Sequence, residues 1–294
     1  MTRPRLLALL CCALLVPALV TASAQAGNPL STVLGGLGTT KLGTIGNDLL
    51  EGTPLADVLV GGAGNDTMHG GAGNDRLRSG PGRDYAAGDG GDDVIDTGDD
   101  ADQADGGSGD DTIDGGAGDD KLNGANGIDI IDGGDGDDTI DGGDGADSIT
   151  GGAGNDTLTV AAGRGAAGDA MTGGPGDDLI IGGSGKDIIR GNGGDDKLYG
   201  RAGGDRIYGG ADDDVIKGNS GSDVLDGNGG ADAISGGPGR DRIDGGSGPD
   251  TIKVRGGGVD KVDCGSDVDH VIADRSDVLR DCEFVNGKRV KTKR

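Results

Sequence analysis

The chain has 294 residues, of which 52 are Asp or Glu and 26 are Lys or Arg, a formal charge of −26. Gly supplies 69 residues, Trp is absent, and Tyr85, Tyr199, Tyr208 and Phe284 are the only aromatic side chains. This balance argues against nucleic acid or anionic membrane as partners and leaves no aromatic platform for stacking sugars or bases.

The first 26 residues read as a secretory signal peptide. Arg3 and Arg5 precede the apolar run Leu6–Val20, and Ala22-Ser23-Ala24 and Ala24-Gln25-Ala26 offer small-residue cleavage sites. The short run and Pro17 speak against an uncleaved anchor, and Leu10 before Cys11 speaks against a lipoprotein. Cleavage would lower the net charge from −26 to −28 by removing Arg3 and Arg5. The mature chain is then expected outside the cell, released or surface-associated, with no inserted segment. Residues 27–42 form a polar and aliphatic lead-in, read as a partial cap.

From residue 43 to residue 253 one nonapeptide recurs, Gly-Gly-x-Gly-x-Asp-x-(aliphatic)-x. It is intact in GGAGNDTMH from Gly61, GGSGDDTID from Gly106 and GGDGDDTID from Gly133. Asp falls every nine residues from Asp66 through Asp75, Asp84, Asp93, Asp102, Asp111, Asp120, Asp129, Asp138 and Asp147 to Asp156. Val160-Ala161-Ala162-Gly163 then inserts four residues, read as a bulge and not a domain boundary. The series restarts at Asp169 and runs through Asp178, Asp187, Asp196, Asp205, Asp214, Asp223, Asp232 and Asp241 to Asp250. A fixed period means one structural unit stacked many times. The glycines allow positive φ and tight turns, and the aliphatic residue two places after each Asp opens a short strand with one side chain pointing inward.

This pattern closely resembles the RTX nonapeptide, the calcium-binding repeat of secreted bacterial toxins, proteases and lipases, and eleven repeats match it at every fixed position. The resemblance implies an all-β, right-handed parallel β-roll with two nonapeptides per turn and Ca²⁺ held between loops one turn apart. About twelve or thirteen turns at about 4.8 Å each would make a rod on the order of 60 Å long. Residues 18 apart would lie directly above one another, Asp66 over Asp84 and Asp75 over Asp93. Metal-holding positions are then expected at Asp66, Asp75, Asp93, Asp111, Asp120, Asp129, Asp138, Asp147, Asp156, Asp178, Asp187, Asp196, Asp205, Asp214, Asp223, Asp232, Asp241 and Asp250. Several Ca²⁺ ions are implied, each taking carboxylate and main-chain carbonyl oxygens, as suits a hard cation. Acidic residues are nearly all Asp, with Glu only at Glu51 and Glu283, as a short side chain on a tight loop requires.

Departures from the repeat mark weaker positions. Asp48 and Asp57 keep the spacing at the start, where the repeats begin imperfectly. Asn192, Asn219 and Asn228 replace the second Gly, and Asp100 and Asp212 the fourth, and these residues tolerate the left-handed region. Ser79 with Pro81, and Arg164 with Ala167, are less forgiving, which puts calcium near Asp84 and Asp169 in doubt. Ala86 and Ala104 thin the core.

Residues 254–282 are irregular and look like the terminal segment of secreted actinobacterial members of this repeat family. Cys11 and Cys12 leave with the signal, so Cys264 and Cys282 remain, 18 residues apart. If 18 residues make one turn, adjacent strands about 4.7–4.9 Å apart permit a disulfide between consecutive turns, as an exported protein favours. Residues 283–294 form a basic tail, including Lys288, Arg289, Lys291, Lys293 and Arg294. It reads first as charge that keeps an open sheet end from pairing, and second as a grip on an acidic wall polymer.

Catalysis has little support. His69 and His270 are the only histidines and fall at outward-facing positions, and no HExxH or Ser-His-Asp arrangement occurs. The paired carboxylates Asp110-Asp111 and Asp177-Asp178 recur as parts of calcium loops. The sequence therefore points to a monomeric, exported calcium-binding protein that folds on meeting extracellular Ca²⁺. A cell-surface spacer and a calcium-folded partner of a separate enzyme are the other readings. An ice-binding face is disfavoured, because Thr67, Thr112, Thr139 and Thr157 form no regular array on one face.

Overall fold

The computed structural model describes residues 30–33, 38–160 and 168–289. The proposed signal peptide, most of the insertion and the last five residues of the basic tail lie outside the described residues.

The described chain is a parallel β-solenoid, with two fifteen-stranded sheets facing each other and no helix among the described residues. The strands alternate between the sheets every nine residues, so each sheet receives a new strand every eighteen. In the first sheet Ile95 pairs with Ile113, Ile113 with Ile131 and Ile131 with Ile149. In the second, Met68 pairs with Ala86, Ala86 with Ala104 and Ala104 with Leu122. The expected stacking of residues 18 apart is therefore the observed register. Parallel sheets normally hide both faces. Here a three-residue strand core buries only its middle side chain, and the outward faces carry the polar residues.

The interior is a single file of aliphatic side chains. Met68, Ile140, Leu158, Ile180 and Ile252 have no exposed surface, and the same position is buried in every described repeat. Ala86 and Ala104 do thin this file, on neighbouring strands of the second sheet. Across the insertion the stack is unbroken, since Ile149 pairs with Met171 and Leu158 with Ile180, and Val160 turns into the core.

Most corners are made by glycines at positive φ, packed close against the preceding turn. Gly134 has φ 104°, and a Cβ there would lie 2.0 Å from the Gly116 carbonyl oxygen of the preceding turn. Where Asn or Asp substitutes, the left-handed conformation is kept: φ is 86° at Asn192, 66° at Asn219, 68° at Asn228, 79° at Asp100 and 75° at Asp212. Asp89, Ala125 and Arg201 also take it, at 70°, 74° and 71°. The last two show stacking overriding local preference.

Both ends of the solenoid close with antiparallel strands. Leu30–Val33 covers Thr39–Leu42 of the first sheet, and Lys288–Arg289 covers Phe284–Val285 of the second. The solenoid also extends beyond the regular repeats, because Lys261–Asp263, His270–Ala273 and Val278–Arg280 continue the parallel ladders. Cys264 and Cys282 form a disulfide at this end, with Cα atoms 5.2 Å apart.

Two substitutions test the packing by chemical denaturation in calcium. Ile140→Ala should destabilise the solenoid by about 2–5 kcal/mol through the cavity it leaves, and Gly134→Ala by about 1–3 kcal/mol through backbone strain and the carbonyl contact. Unchanged denaturation midpoints would show that neither the core file nor the corner glycines carry the fold.

Candidate metal centres

Every corner ends in an aspartate whose side chain turns inward. These residues form two columns along opposite edges of the solenoid, and in each column one hydrogen bond repeats. The backbone N–H of one Asp donates to Oδ1 of the Asp one turn later: Asp66 to Asp84 at 2.6 Å, Asp75 to Asp93 at 2.7 Å, Asp120 to Asp138 at 2.8 Å and Asp232 to Asp250 at 3.0 Å. The bond survives the insertion, as Asp147 N–H reaches Asp169 and Asp156 N–H reaches Asp178. All the candidate aspartates lie in these columns, and so do Asp84, Asp102 and Asp169.

The second carboxylate oxygen is the telling one. In Asp66, Asp75, Asp93, Asp111, Asp120, Asp129, Asp138, Asp147, Asp156, Asp178, Asp196, Asp205, Asp214, Asp223, Asp232, Asp241 and Asp250, Oδ2 is buried and accepts no hydrogen bond. Oδ2 of Asp84 and Asp102 is in the same state. Buried polar groups are otherwise almost always partnered, and a buried carboxylate oxygen left alone is costly. Except at Asp84 and Asp102, whose loops begin with Ser79 and Thr97, each such oxygen faces a space kept open by the first glycine of its loop. A Cβ on Gly133 would lie 2.3 Å from Asp138 Oδ2 and 2.3 Å from the Gly151 carbonyl oxygen of the next turn. A Cβ on Gly106 would meet Asp111 Oδ2 at 2.5 Å and the Gly124 carbonyl at 2.8 Å. The space is thus lined by oxygens from two consecutive turns, the donor set a hard cation takes. Among the described residues no three acidic, His or Cys side chains gather as one ligand set, so main-chain carbonyls must supply much of each shell.

Electrostatics agree with an unsatisfied site. Burial pushes the Asp138 carboxyl up to about 7, against the Asp120 N–H, with the Asp120 and Asp156 carboxylates adding to the rise. Asp93 and Asp250 are raised to about 7 and Asp75 and Asp147 to about 6 in the same way, burial first.

Among the described residues, three loops of the ladder are closed by protein donors instead. Asp48 Oδ2 accepts the Thr44 N–H at 2.6 Å and the Thr44 hydroxyl at 2.9 Å. Asp57 Oδ2 likewise accepts the N–H and hydroxyl of Thr53, and Oδ1 accepts the Thr39 N–H. For Asp57 burial raises the pKa, but the hydrogen bonds from Thr39 and Thr53 outweigh it and leave the carboxyl below its ordinary value. Asp187, one of the expected positions, accepts the Gly183 N–H on Oδ2 at 3.0 Å. None of Thr44, Thr53 and Gly183 is at positive φ, so the second residue of the loop turns its N–H toward the carboxylate.

Sequence reasoning missed two further members and a second ladder. Asp260 and Asp269 continue the columns, accepting the N–H groups of Asp241 and Asp250 at 2.8 and 2.9 Å. The signal was present in Asp260-Lys261-Val262 and Asp269-His270-Val271, which repeat the Asp-x-aliphatic spacing after a one-residue slip. The residue preceding each ladder Asp is often Asp or Asn, and it stitches the turns from outside in the opposite sense. Asp92 Oδ1 accepts the Asp110 N–H at 3.0 Å, Asp137 the Asn155 N–H at 2.8 Å and Asp177 the Asp195 N–H at 2.8 Å. The paired carboxylates are therefore split, one facing inward and one exposed.

The family comparison agrees with this geometry. The RTX calcium-binding nonapeptide repeat matches in overlapping four-copy segments that together run from residue 42 to residue 252. No curated protein matches the chain. Among solved structures, a hyperactive, Ca²⁺-dependent, β-helical antifreeze protein from an Antarctic bacterium is similar at 18% identity and a TM-score of 0.33, covering 84% of this chain and 78% of that one. With its repeat motif matched over well more than half its length, the chain belongs to the RTX calcium-binding nonapeptide repeat family.

Proposed function

We propose that this chain is an exported calcium-binding protein whose solenoid becomes ordered on meeting extracellular Ca²⁺. The observation that carries the reading is the row of buried Oδ2 atoms without partners, repeated at nearly every corner of both columns. Asp66, Asp75, Asp93, Asp111, Asp120, Asp129, Asp138, Asp147, Asp156, Asp178, Asp196, Asp205, Asp214, Asp223, Asp232, Asp241 and Asp250 would hold the ions, with Asp84 and Asp102 as weaker members. Asp187 would contribute least among the expected positions, since its Oδ2 already has the Gly183 N–H.

Bound calcium would supply positive charge and oxygen coordination to carboxylates that have neither. The chain's own residues do the rest. Each Asp fixes its carboxylate on the N–H of the preceding turn through Oδ1, and first glycines such as Gly106 and Gly133 keep Oδ2 in reach of the next turn's carbonyl. Core burial is limited to one aliphatic side chain per repeat, and ordering nine backbones costs roughly 1–2 kcal/mol each. A metal that binds the folded state alone adds its binding free energy to folding. A chain kept unfolded at low cytosolic calcium would remain exportable, and the proposed signal peptide at residues 1–26 fits that route. No catalysis is assigned. His69 lies against Tyr85 and 3.6 Å from Asp89, and His270 stacks on Phe284 at 4.8 Å, each on an outer face.

Titration of the mature protein with Ca²⁺, followed by circular dichroism and hydrodynamic radius, tests the proposal. Chelated protein should be expanded, millimolar Ca²⁺ should produce β-signal and compaction together, and Mg²⁺ should not substitute because it demands near-ideal octahedral geometry. Signals unchanged by Ca²⁺ would sink the reading.

The corners should differ in strength. Asp138→Asn, beside an open Gly133 cradle, should raise the midpoint of the titration. Asp84→Asn should do less, because buried Ser79 stands where other loops have their first glycine. Equal shifts would show that the open cradle does not rank the sites.

The pH dependence has a defined sign. The ladder carboxyls are raised in the metal-free fold, so their protonated form favours that fold at low pH. This contribution is lost as pH rises through about 6–7. In chelator, compactness should therefore fall between the ordinary carboxylate range and about pH 7, while calcium affinity should rise over the same interval as competing protons leave. Metal-free protein equally expanded at pH 5 and pH 8 would contradict it.

A further inference from the structure

The two columns end differently at the C-terminus. In one, Asp260 N–H donates to Asp277 Oδ1 at 3.2 Å and Asp277 Oδ2 accepts the Asp274 N–H at 2.7 Å, so the last carboxylate is closed by backbone donors. In the other, Asp250 N–H donates to Asp269 Oδ1 at 2.9 Å, and Asp269 N–H donates to Glu283 Oε2 at 3.2 Å. Asp269 has no exposed surface and its Oδ2 has no partner. Glu283 thus supplies the next carboxylate of this column, bonded to the N–H of Asp269. The neighbouring base is engaged elsewhere, since Arg280 pairs with Asp263 and Asp281, each at 3.2 Å.

Two successive carboxylates of one column, the first with a buried oxygen that has no donor, call for a cation or a shared proton. The geometry points to a divalent-cation site at Asp269 and Glu283, outside the RTX repeats, that closes one column of the ladder and is held in place by the Cys264–Cys282 disulfide. Its donors are oxygens, which selects a hard ion such as Ca²⁺, and the nearby sulfurs are bonded to each other and offer no thiolate.

The disulfide matters because of what it joins. Cys264 opens the loop that Asp269 ends, and Cys282 directly precedes Glu283, so the bridge ties together the two segments that deliver the two carboxylates. Cys264 also serves the turn before. Its carbonyl oxygen and Asp250 Oδ2 each lie 2.5 Å from where a Cβ on Gly245 would stand, the arrangement that lines the central cradles. Reduction would free the Glu283 segment while leaving the central repeats untouched, which makes cation binding at this end dependent on thiol oxidation.

The inference rests on the calcium reading above and adds a site that the repeat motif does not contain. Its test counts bound Ca²⁺ by equilibrium dialysis on the oxidised chain. Hydrogen exchange at residues 264–285 and at the central repeats 106–159 is followed through the same calcium titration. Glu283→Gln and Asp269→Asn should each lose one ion and raise the calcium needed to protect residues 264–285 by at least about tenfold, with the central midpoint unchanged. Reduction of the unmutated chain should produce the same local shift. An unchanged ion count in both variants would overturn the site. So would terminal protection in the unmutated chain that is complete in chelator and indifferent to calcium, the result a shared proton gives. Because that last measurement needs no substitution, a variant that fails to fold leaves the decision intact. Central repeats that ignore calcium would overturn the general reading as well, whereas a central response without a terminal one overturns the terminal site alone.

Discussion

The solenoid depends on one hydrogen bond repeated along each edge, from the N–H of a corner aspartate to Oδ1 of the aspartate one turn later. Strand pairing cannot serve this N–H, because the chain is turning at the corner. The aspartate side chain reaches it from the next turn, and its shortness keeps the turns at strand spacing. The same bond fixes the carboxylate so that Oδ2 faces inward. A single side chain therefore staples the backbone and creates a buried acceptor without a donor. Repetition multiplies the conflict, since each carboxylate lies one strand spacing, about 4.8 Å, from the next. An apolar file one residue wide is a small offset to that repulsion. The structure needs positive charge from outside itself, and the oxygens that would receive it are in place.

Much of this was legible in the sequence, for definite reasons. The aliphatic position two places after each Asp predicted the core file, because a period-two strand of three residues can bury only its middle side chain. The thin places at Ala86 and Ala104 were equally visible. Cys264 and Cys282 could be paired from an eighteen-residue separation because the register of the stack converts sequence distance directly into spatial distance. Other features were hidden by the same regularity. Thr44 and Thr53 stand at the second position of their loops, where nothing in the repeat pattern foretells that their hydroxyls and N–H groups satisfy Asp48 and Asp57. Asp260 and Asp269 were overlooked because one extra residue breaks a count of nine, while the fold absorbs it in a corner. The Asp-Asp pairs looked like one loop feature, and only backbone direction shows that one carboxylate staples inward and its neighbour outward. Ala125 and Arg201 at positive φ could not be foreseen from propensity, since neighbouring turns impose that conformation on them.

The second residue of each loop emerges as the point of decision. When it takes positive φ its N–H turns away from the aspartate, and Oδ2 is left for an ion. When it does not, as at Thr44, Thr53 and Gly183, its N–H closes the carboxylate and the corner needs nothing further. Glycine at this position is therefore more than a tight-turn requirement, because it allows the conformation that leaves a metal position open. Threonine does the reverse and adds a hydroxyl as a second donor.

The placement of closed corners then has a consequence for order along the stack. In a quasi-one-dimensional array each turn is stabilised only by its neighbours, so an end turn lacks half the support of a central one. The N-terminal end meets this with Thr44, Thr53 and the antiparallel strand Leu30–Val33, none of which requires a cation. The C-terminal end meets it with a disulfide and the hairpin through Asn286 and Gly287, at 51° and 74° in φ. The N-terminal end is thereby fixed by contacts that need no cation, whereas the C-terminal end combines its covalent bridge with the unpartnered Oδ2 of Asp269. On the proposed reading, cradles stacked in register would be coupled through their shared turns, so that an ion at one corner favours the corners next to it.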